Sequence, residues 1–256
     1  MKAFLLAAGK GTRLRPYTDA IPKCLIPIHG KPLLGIWLDH LRGQGIQEVL
    51  INTHHHAHQV EAFVRSYSDC RDIHIVLSNE PKLLGSAGTI WHRRDFVDSE
   101  DDFMIIYADN LTNIDLKQFA TFHRNCRKKN GILTMGLFHA PNPSACGIAE
   151  LDSNQRILAF TEKPEFPKSD LANAGIYLAS REIFGCFPQI PSEAESVLDF
   201  GHHVLPLLAG RMYGYPMTEY LRDIGTIESY QQALTEWPVR HLVGFRESDE
   251  SRSGYA

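Results

Sequence analysis

Cysteine is scarce in this sequence: Cys24, Cys70, Cys126, Cys146 and Cys186 are the only five in 256 residues, with no C-x-x-C pair among them. An odd, dispersed set argues against a disulfide framework and a zinc knuckle, and it fits a reducing, cytoplasmic setting. Long apolar runs are missing too. None approaches the roughly 20 residues that span a bilayer, so no membrane partner is expected. The apolar start, residues 3–8, stops at Gly9 and is followed by Lys10, Arg13 and Arg15, which suits a first strand better than a signal peptide. There is no basic excess either. With 26 Lys+Arg against 30 Asp+Glu the formal charge is -4, leaving no field to hold a nucleic acid backbone. No internal repeat or low-complexity linker is visible, and two common nucleotide signatures are absent. No G-x-x-x-x-G-K-[ST] occurs, and Leu14 stands where G-x-G-x-x-G would need its third glycine.

What is present is an ordinary globular composition, 43% hydrophobic and 22% charged, in a chain long enough for a sizeable core. Short apolar runs at 3–8, 49–52, 73–77 and 103–108 read as strands. The stretches 33–41, 58–67, 87–94 and 116–127 read as helices; in the first of these, Leu34, Trp37, Leu38 and Leu41 recur at helical spacing. Strand and helix in alternation imply a mainly parallel sheet covered on both faces, with ligands beyond the carboxyl ends of its strands. The second half is richer in strands, at 132–138, 148–151, 157–161, 176–179 and 213–217, and should add antiparallel or mixed pairs. Helices are expected over 197–208, with a kink or early stop at Pro206, and over 227–234.

The segment Leu6-Ala7-Ala8-Gly9-Lys10-Gly11-Thr12-Arg13-Leu14-Arg15-Pro16-Tyr17-Thr18 begins where the first strand ends. Its small residues and two glycines let the backbone approach a ligand with several N–H groups turned inward, and Thr12, Arg13 and Arg15 add donors and charge. That chemistry suits a polyphosphate; the plainer reading is a Gly-rich strand-to-helix turn.

This loop resembles the signature of the sugar-phosphate nucleotidyltransferases, A-A-G or A-G-G, x, G-T-R, x, x, P, x, T. Other blocks follow in the family's order. Pro22-Lys23 fits its second basic element, and Leu84-Gly85-Ser86-Ala87-Gly88-Thr89 is similar to its nucleotide-facing L-G-T-A-G. Tyr107-Ala108-Asp109-Asn110 resembles G-D-N, and Glu162-Lys163-Pro164 matches E-K-P. Asn173-Ala174-Gly175 is similar to N-A-G, and Asp223-Ile224-Gly225-Thr226 matches D-I-G-T. The resemblance implies an α/β fold of three layers, Rossmann-like (GT-A-like), around a mixed, mostly parallel sheet. It places one nucleotidyltransferase domain over 1–236 and leaves 237–256 as a C-terminal extension. The implied reaction joins the NMP part of an NTP to a sugar 1-phosphate, giving NDP-sugar and pyrophosphate, and relatives are often homo-oligomers.

Each implied role has a physical reason. A sugar phosphate oxygen must approach the α-phosphorus in line with departing pyrophosphate, and the two anions repel unless cations and N–H dipoles screen them. The resemblance makes Arg13 the stabiliser of the leaving phosphates and Lys23 the holder of the α-phosphate. Leu6, Ala7, Ala8, Gly9, Gly11 and Thr12 would line the nucleotide, while Glu80, Gly85, Ala87 and Gly88 would face its base. Asp109 and Asp223 make a reasonable Mg²⁺ pair, because this ion takes one or two carboxylates and fills its octahedron with phosphate oxygens and water. Each aspartate alone reads equally as a helix cap or turn residue. Lys163 would clamp the acceptor's phosphate from an extended backbone fixed by Pro164. Glu162, Asn110 and Asn173 would meet sugar or nucleotide groups, and Gly147 would leave room for the sugar ring; the plainer alternative is a surface ion pair and turn residues.

The run His54-His55-His56-Ala57-His58 has the four-residue spacing of helical metal ligands. It lies at a strand-to-helix junction without the Glu of H-E-x-x-H, so exposed loop histidines are the better reading. Cys24, beside Lys23, could have a lowered thiol pKa but lacks a base and reads as structural. Three positions depart from the family pattern. Ala108 replaces a Gly, Arg222 stands where an aromatic often precedes D-I-G-T, and Ile227 replaces a Pro. No hexapeptide period follows Thr226, which argues against an appended β-helix acyltransferase. The Leu-Gly-Ser-Ala-Gly-Thr string looks most like guanylyltransferases acting on mannose 1-phosphate or a close relative. Uridylyl- or thymidylyltransferases for glucose 1-phosphate, or for an amino-sugar 1-phosphate, remain open. So does a regulatory subunit that binds without turnover.

Overall fold

Along the first strand Ala3 and Leu5 join one buried cluster and Phe4 the other. Alternating side chains point to opposite faces, so this strand is covered on both sides. The computed structural model describes residues 1–68, 72–188 and 197–238. The strands are β1 (Lys2–Leu6), β2 (Pro27–Ile28), β3 (Lys31–Pro32), β4 (Glu48–Thr53), β5 (His74–Asn79), β6 (Asp102–Tyr107), β7 (Asn110–Thr112), β8 (Leu133–His139), β9 (Gly147–Leu151), β10 (Arg156–Glu162), β11 (Leu171–Ser180), β12 (Met212–Pro216) and β13 (Leu221–Asp223). The helices are α1 (Tyr17–Ala20), α2 (Leu33–Gly43), α3 (Ala57–Ser68), α4 (Ser86–His92), α5 (Leu116–Arg127), α6 (Phe200–His203) and α7 (Ile227–Glu236).

Nine strands form one sheet in the order β5-β4-β1-β6-β11-β8-β12-β10-β9. The half β5-β4-β1-β6 is parallel. β11 enters antiparallel to both β6 and β8, β12 is parallel to β8, and β10 and β9 close the sheet antiparallel. Helices α2, α3, α5 and α7 pack one face, contributing Trp37, Val60, Phe119 and Tyr230, while α4 and α6 cover the other with Ile90 and Phe200. The fold is the expected three-layer α/β arrangement around a mixed sheet. None of the helices among the described residues is long and apolar enough to cross a membrane.

Several elements differ from expectation for identifiable reasons. The helix expected over 197–208 is the single turn α6 followed by a 3₁₀ turn, Leu205–Leu208. Pro206 sits in the first positions of that turn, where a missing N–H costs nothing, and the chain breaks just before it. The strand expected over 176–179 is the ten-residue β11, whose register shifts between Asn173 and Tyr177. The Asn173 side chain accepts from the Gly175 amide at 2.9 Å and Gly175 takes φ +67, so a bulge disguises the strand's first half as a turn. At the C-terminus, Trp237 belongs to the core at 3% exposure, so packing continues past residue 236. The rest of the expected extension, 239–256, and Cys70 lie outside the described residues.

Candidate active site

The carboxyl ends of β1, β4 and β6 lie side by side, with Leu6 level with Asn52 on one side and Tyr107 on the other. The Gly-rich loop leaves from this edge. Its first amide, Ala7 N–H, donates to the Asn52 side-chain oxygen at 2.7 Å. Gly11 has φ +63, and a Cβ there would lie 2.8 Å from Thr18 Cγ2. The Thr18 hydroxyl in turn donates to the Gly11 carbonyl at 2.8 Å. Glycine at position 11 thus meets both a conformational and a steric demand. Thr12 and Arg13 stand exposed in the 3₁₀ turn that follows, above buried Leu14.

Lys23 is 8% exposed, and its Nζ lies 2.6 Å from Asp109 Oδ2 and 3.5 Å from Asp223 Oδ1. The two aspartates, 114 residues apart in sequence, meet because β13 pairs with β7 and sets Asp223 opposite Asn110. The Ile224 amide donates to the Asp109 carbonyl at 2.8 Å and fixes the same register. Burial and the charge of Asp109 push the Asp223 carboxyl above its ordinary value, while Lys23 and Arg13 pull the other way. Burial works against the Lys23 ammonium, yet the two carboxylates outweigh it and raise its pKa. Arg13, Asp109 and Asp223 face one cavity of about 850 Å³. No group of three or more His, Cys, Asp or Glu among the described residues could hold a metal ion. The pair of carboxylates therefore suits an ion that completes its shell with phosphate oxygens and water.

The antiparallel half of the sheet also lines this cavity. Glu162 ends β10 and is clasped by glycines: a Cβ on Gly147 would lie 2.5 Å from its Oε2, and one on Gly201 2.7 Å. Gly147 lines the cavity, and the room its missing side chain leaves is bounded by Glu162 and the Phe160 ring. Burial raises the Glu162 pKa, Lys163 opposes, and Asp199 adds to the rise. Lys163 departs from the extended backbone expected before proline, taking φ +48. Its amide donates to the Cys146 carbonyl at 3.0 Å, extending the β9–β10 pairing, and the chain turns there before Pro164. Such a conformation in a non-glycine residue is strained and clusters at functional sites. The Lys163 side chain is 61% exposed, with its ammonium 3.9 Å from Glu162 Oε1. Asn173 lines the cavity with its amide already engaged, donating to the Tyr177 hydroxyl at 2.6 Å as well as capping the bulge. Asn110, 7% exposed, donates to the Ala174 carbonyl at 2.8 Å.

Other expected residues lie elsewhere. Glu80 is 2% exposed; its carboxylate accepts from the Leu84 amide at 3.0 Å, the Asn52 side-chain amide at 2.9 Å and the Thr89 hydroxyl. With those partners it ties the 80–89 segment to the Gly-rich loop through Asn52. Ala87 and Gly88 are buried, and their amides donate to the Leu198 carbonyl at 2.9 and 3.3 Å; Gly85, at φ +80, has no room for a Cβ against that carbonyl. The histidine run serves packing of a particular kind. His54 bonds the Glu80 carbonyl at 2.8 Å, His55 that of Thr18 at 3.3 Å and His56 that of Asp19 at 3.2 Å. Burial pushes the Cys24 thiol up to about 12, the reverse of the lowering considered from its neighbour Lys23. Arg222 lines the same cavity, and its Nη2 donates to both carboxylate oxygens of Glu236, at 2.8 and 2.9 Å. Ile227 opens α7 behind the cap residue Thr226, a position where Pro is tolerated but not required.

Sequence reasoning missed Asn52, Asp199 and Gly201. Asn52 is the penultimate residue of β4 at the ligand edge, a readable signal; the other two join the site only through the packing of α6 on β10, which leaves no local mark.

The sequence pattern of the nucleotidyl transferase family matches residues 2–238. A UTP--glucose-1-phosphate uridylyltransferase of Synechocystis sp. is 35% identical, over 91% of this chain and 62% of its own length. A mannose-1-phosphate guanylyltransferase of Mycobacterium tuberculosis is 33% identical, over 89% of this chain and likewise 62% of its own. This chain thus spans about three-fifths of these relatives' length. A solved Bacillus anthracis protein, described as a glucose-1-phosphate thymidylyltransferase in complex with a sucrose, superposes with a TM-score of 0.81 at 26% identity. That alignment covers 92% of this chain and 94% of the other.

Proposed function

We propose, from the premise that this chain belongs to the nucleotidyl transferase family, that it transfers the NMP part of an NTP to a sugar 1-phosphate and releases pyrophosphate. The observation that carries this reading is the meeting of Arg13, Lys23, Asp109 and Asp223 beside a cavity that Glu162 and Lys163 also line. The first group suits a triphosphate and the second a phosphorylated sugar. Arg13 would offset charge on the departing phosphates, Lys23 would hold the α-phosphate, and Lys163 would fix the acceptor's phosphate for in-line approach. The acceptor is already an anion, so no base is required. Asp109 and Asp223 would hold Mg²⁺, which when bound screens the repulsion between phosphates.

Within this class GTP and mannose 1-phosphate, or a related sugar, form our first pair, supported by the Leu84–Thr89 string and the Mycobacterium relative. UTP and glucose 1-phosphate form the second, supported by the Synechocystis relative. Pyrophosphate release, measured with GTP, UTP and dTTP against a panel of sugar 1-phosphates in the presence of Mg²⁺, tests both. One pair should stand out. No release with any pair would sink the transferase reading and leave a subunit that binds without turnover.

A further inference from the structure

The resemblance assigns Lys23 to a phosphate, yet its ammonium sits between the two carboxylates assigned to the metal, 2.6 Å from Asp109 and 3.5 Å from Asp223. This is no loose surface pair. Lys23 is 8% exposed, held in a 3₁₀ turn, Lys23–Leu25, whose Cys24 is buried beside it. Arg13 also acts on Asp223. The Lys23 ammonium cancels one carboxylate charge and the nearby, exposed Arg13 offsets much of the other, leaving little net negative charge for a bare divalent ion to neutralise. No third acidic, histidine or cysteine ligand among the described residues would compensate for displacing the ammonium. A metal–nucleotide complex changes the balance. It carries net negative charge, and its phosphate oxygens give the displaced ammonium a new partner, so the carboxylates and Lys23 both stay paired. A buried charge stripped of its partner would be strongly disfavoured, which makes this exchange the accessible route.

We infer that Lys23 holds the place of the divalent cation between Asp109 and Asp223 until a nucleotide arrives, so that metal enters the site together with the triphosphate and not by itself. The inference rests on the reading of these two aspartates as the metal pair. It gives Lys23 a positioning role in the resting site, beyond its contact with phosphate. The ammonium keeps two like charges at a working separation and excludes adventitious metal.

Mn²⁺ binding to the full chain, followed by water proton relaxation with and without GTP, UTP or dTTP, tests this. Wild type should bind Mn²⁺ alone at least about tenfold more weakly than with a triphosphate it accepts. Lys23→Met, which removes the charge and keeps the length, should bind Mn²⁺ alone about tenfold more tightly than wild type, and Asp223→Asn on that background should abolish the gain. Lys23→Arg, which retains a cation, should show no gain. Wild type binding Mn²⁺ alone as tightly as with nucleotide would overturn the inference, and this comparison decides even if Lys23→Met does not fold. A folded Lys23→Met without the gain, while wild type still binds Mn²⁺ with nucleotide, would overturn it and leave the metal pair standing. Absence of Mn²⁺ binding in wild type under every condition would remove the metal pair itself, and the inference with it.

Discussion

Glu162 concentrates the residue-scale physics of this site. As the first residue of E-K-P it was readable in the sequence, but its surroundings were not. The carboxylate is pressed between Gly147 and Gly201, near Asp199, and those neighbours arrive from distant parts of the chain. Its pKa is raised chiefly by burial. The folded protein therefore holds that proton more tightly than the unfolded chain. The residue's contribution to stability is intact below the ordinary Glu range and declines as pH rises through that range towards the raised value. Glu162→Gln keeps the shape without the charge. It should melt above wild type at about pH 7, with the difference closing as pH falls to about 4, while acceptor binding weakens. Thermal melts across pH check this; a variant less stable than wild type at neutral pH would show that the buried charge is better compensated than argued here.

Among elements, the long periodic ones were legible and the short ones were not. α2, α3 and α5 show helical spacing because each buries one face on the sheet. β7 and β13, three residues each, show no pattern, since their reason for existing is each other. Yet that pair unites Asp109 and Asp223, so the metal reading had to lean on motif order. The histidine run was seen and set aside as a metal site, and its part in the fold emerges only from contacts. His55, His56 and Gln59 reach the carbonyls of Thr18, Asp19 and Ala20, with Gln59 donating at 2.8 Å. Thr18 passes that restraint to Gly11. The start of α3 thus steadies the Gly-rich loop from outside. Removing two such bonds, each worth about 0.5–1.5 kcal/mol, in a His55→Ala, Gln59→Ala double variant should raise KM for the NTP about five- to 150-fold. KM for the sugar phosphate should stay unchanged. Equal shifts in both constants would mean that the latch supports the fold at large and not the loop.

For the whole molecule, each half of the sheet contributes its own residues to the candidate site. The parallel half, β5-β4-β1-β6, delivers the Gly-rich loop and Asp109 from its carboxyl edge, as ligand sites in such sheets do. The antiparallel half delivers Gly147, Glu162, Lys163 and Asn173 from β9, β10 and β11. This second half was expected as additional mixed strands, and its order could not be read because β12 inserts between β8 and β10 from much later in the chain. The pairing of β7 with β13 brings together Asp109 and Asp223, which on the proposed reading both substrates would share. Three substitutions should therefore separate kinetically. Lys163→Ala should raise KM for the sugar phosphate about ten- to hundredfold, the loss of one charge-assisted bond, with KM for the NTP nearly constant. Arg13→Ala should lower kcat/KM for the NTP by a similar factor and leave acceptor KM little changed. Asp223→Asn should collapse kcat whichever substrate is varied, without loss of Tm, because it removes charge from the shared seam and relieves a carboxyl already held above its ordinary pKa. Steady-state kinetics with each substrate varied in turn, beside a melt of each variant, decide the matter. If Lys163→Ala moves both KM values together, the two halves do not bind separate substrates, and the assignment of the antiparallel half to the sugar phosphate is wrong.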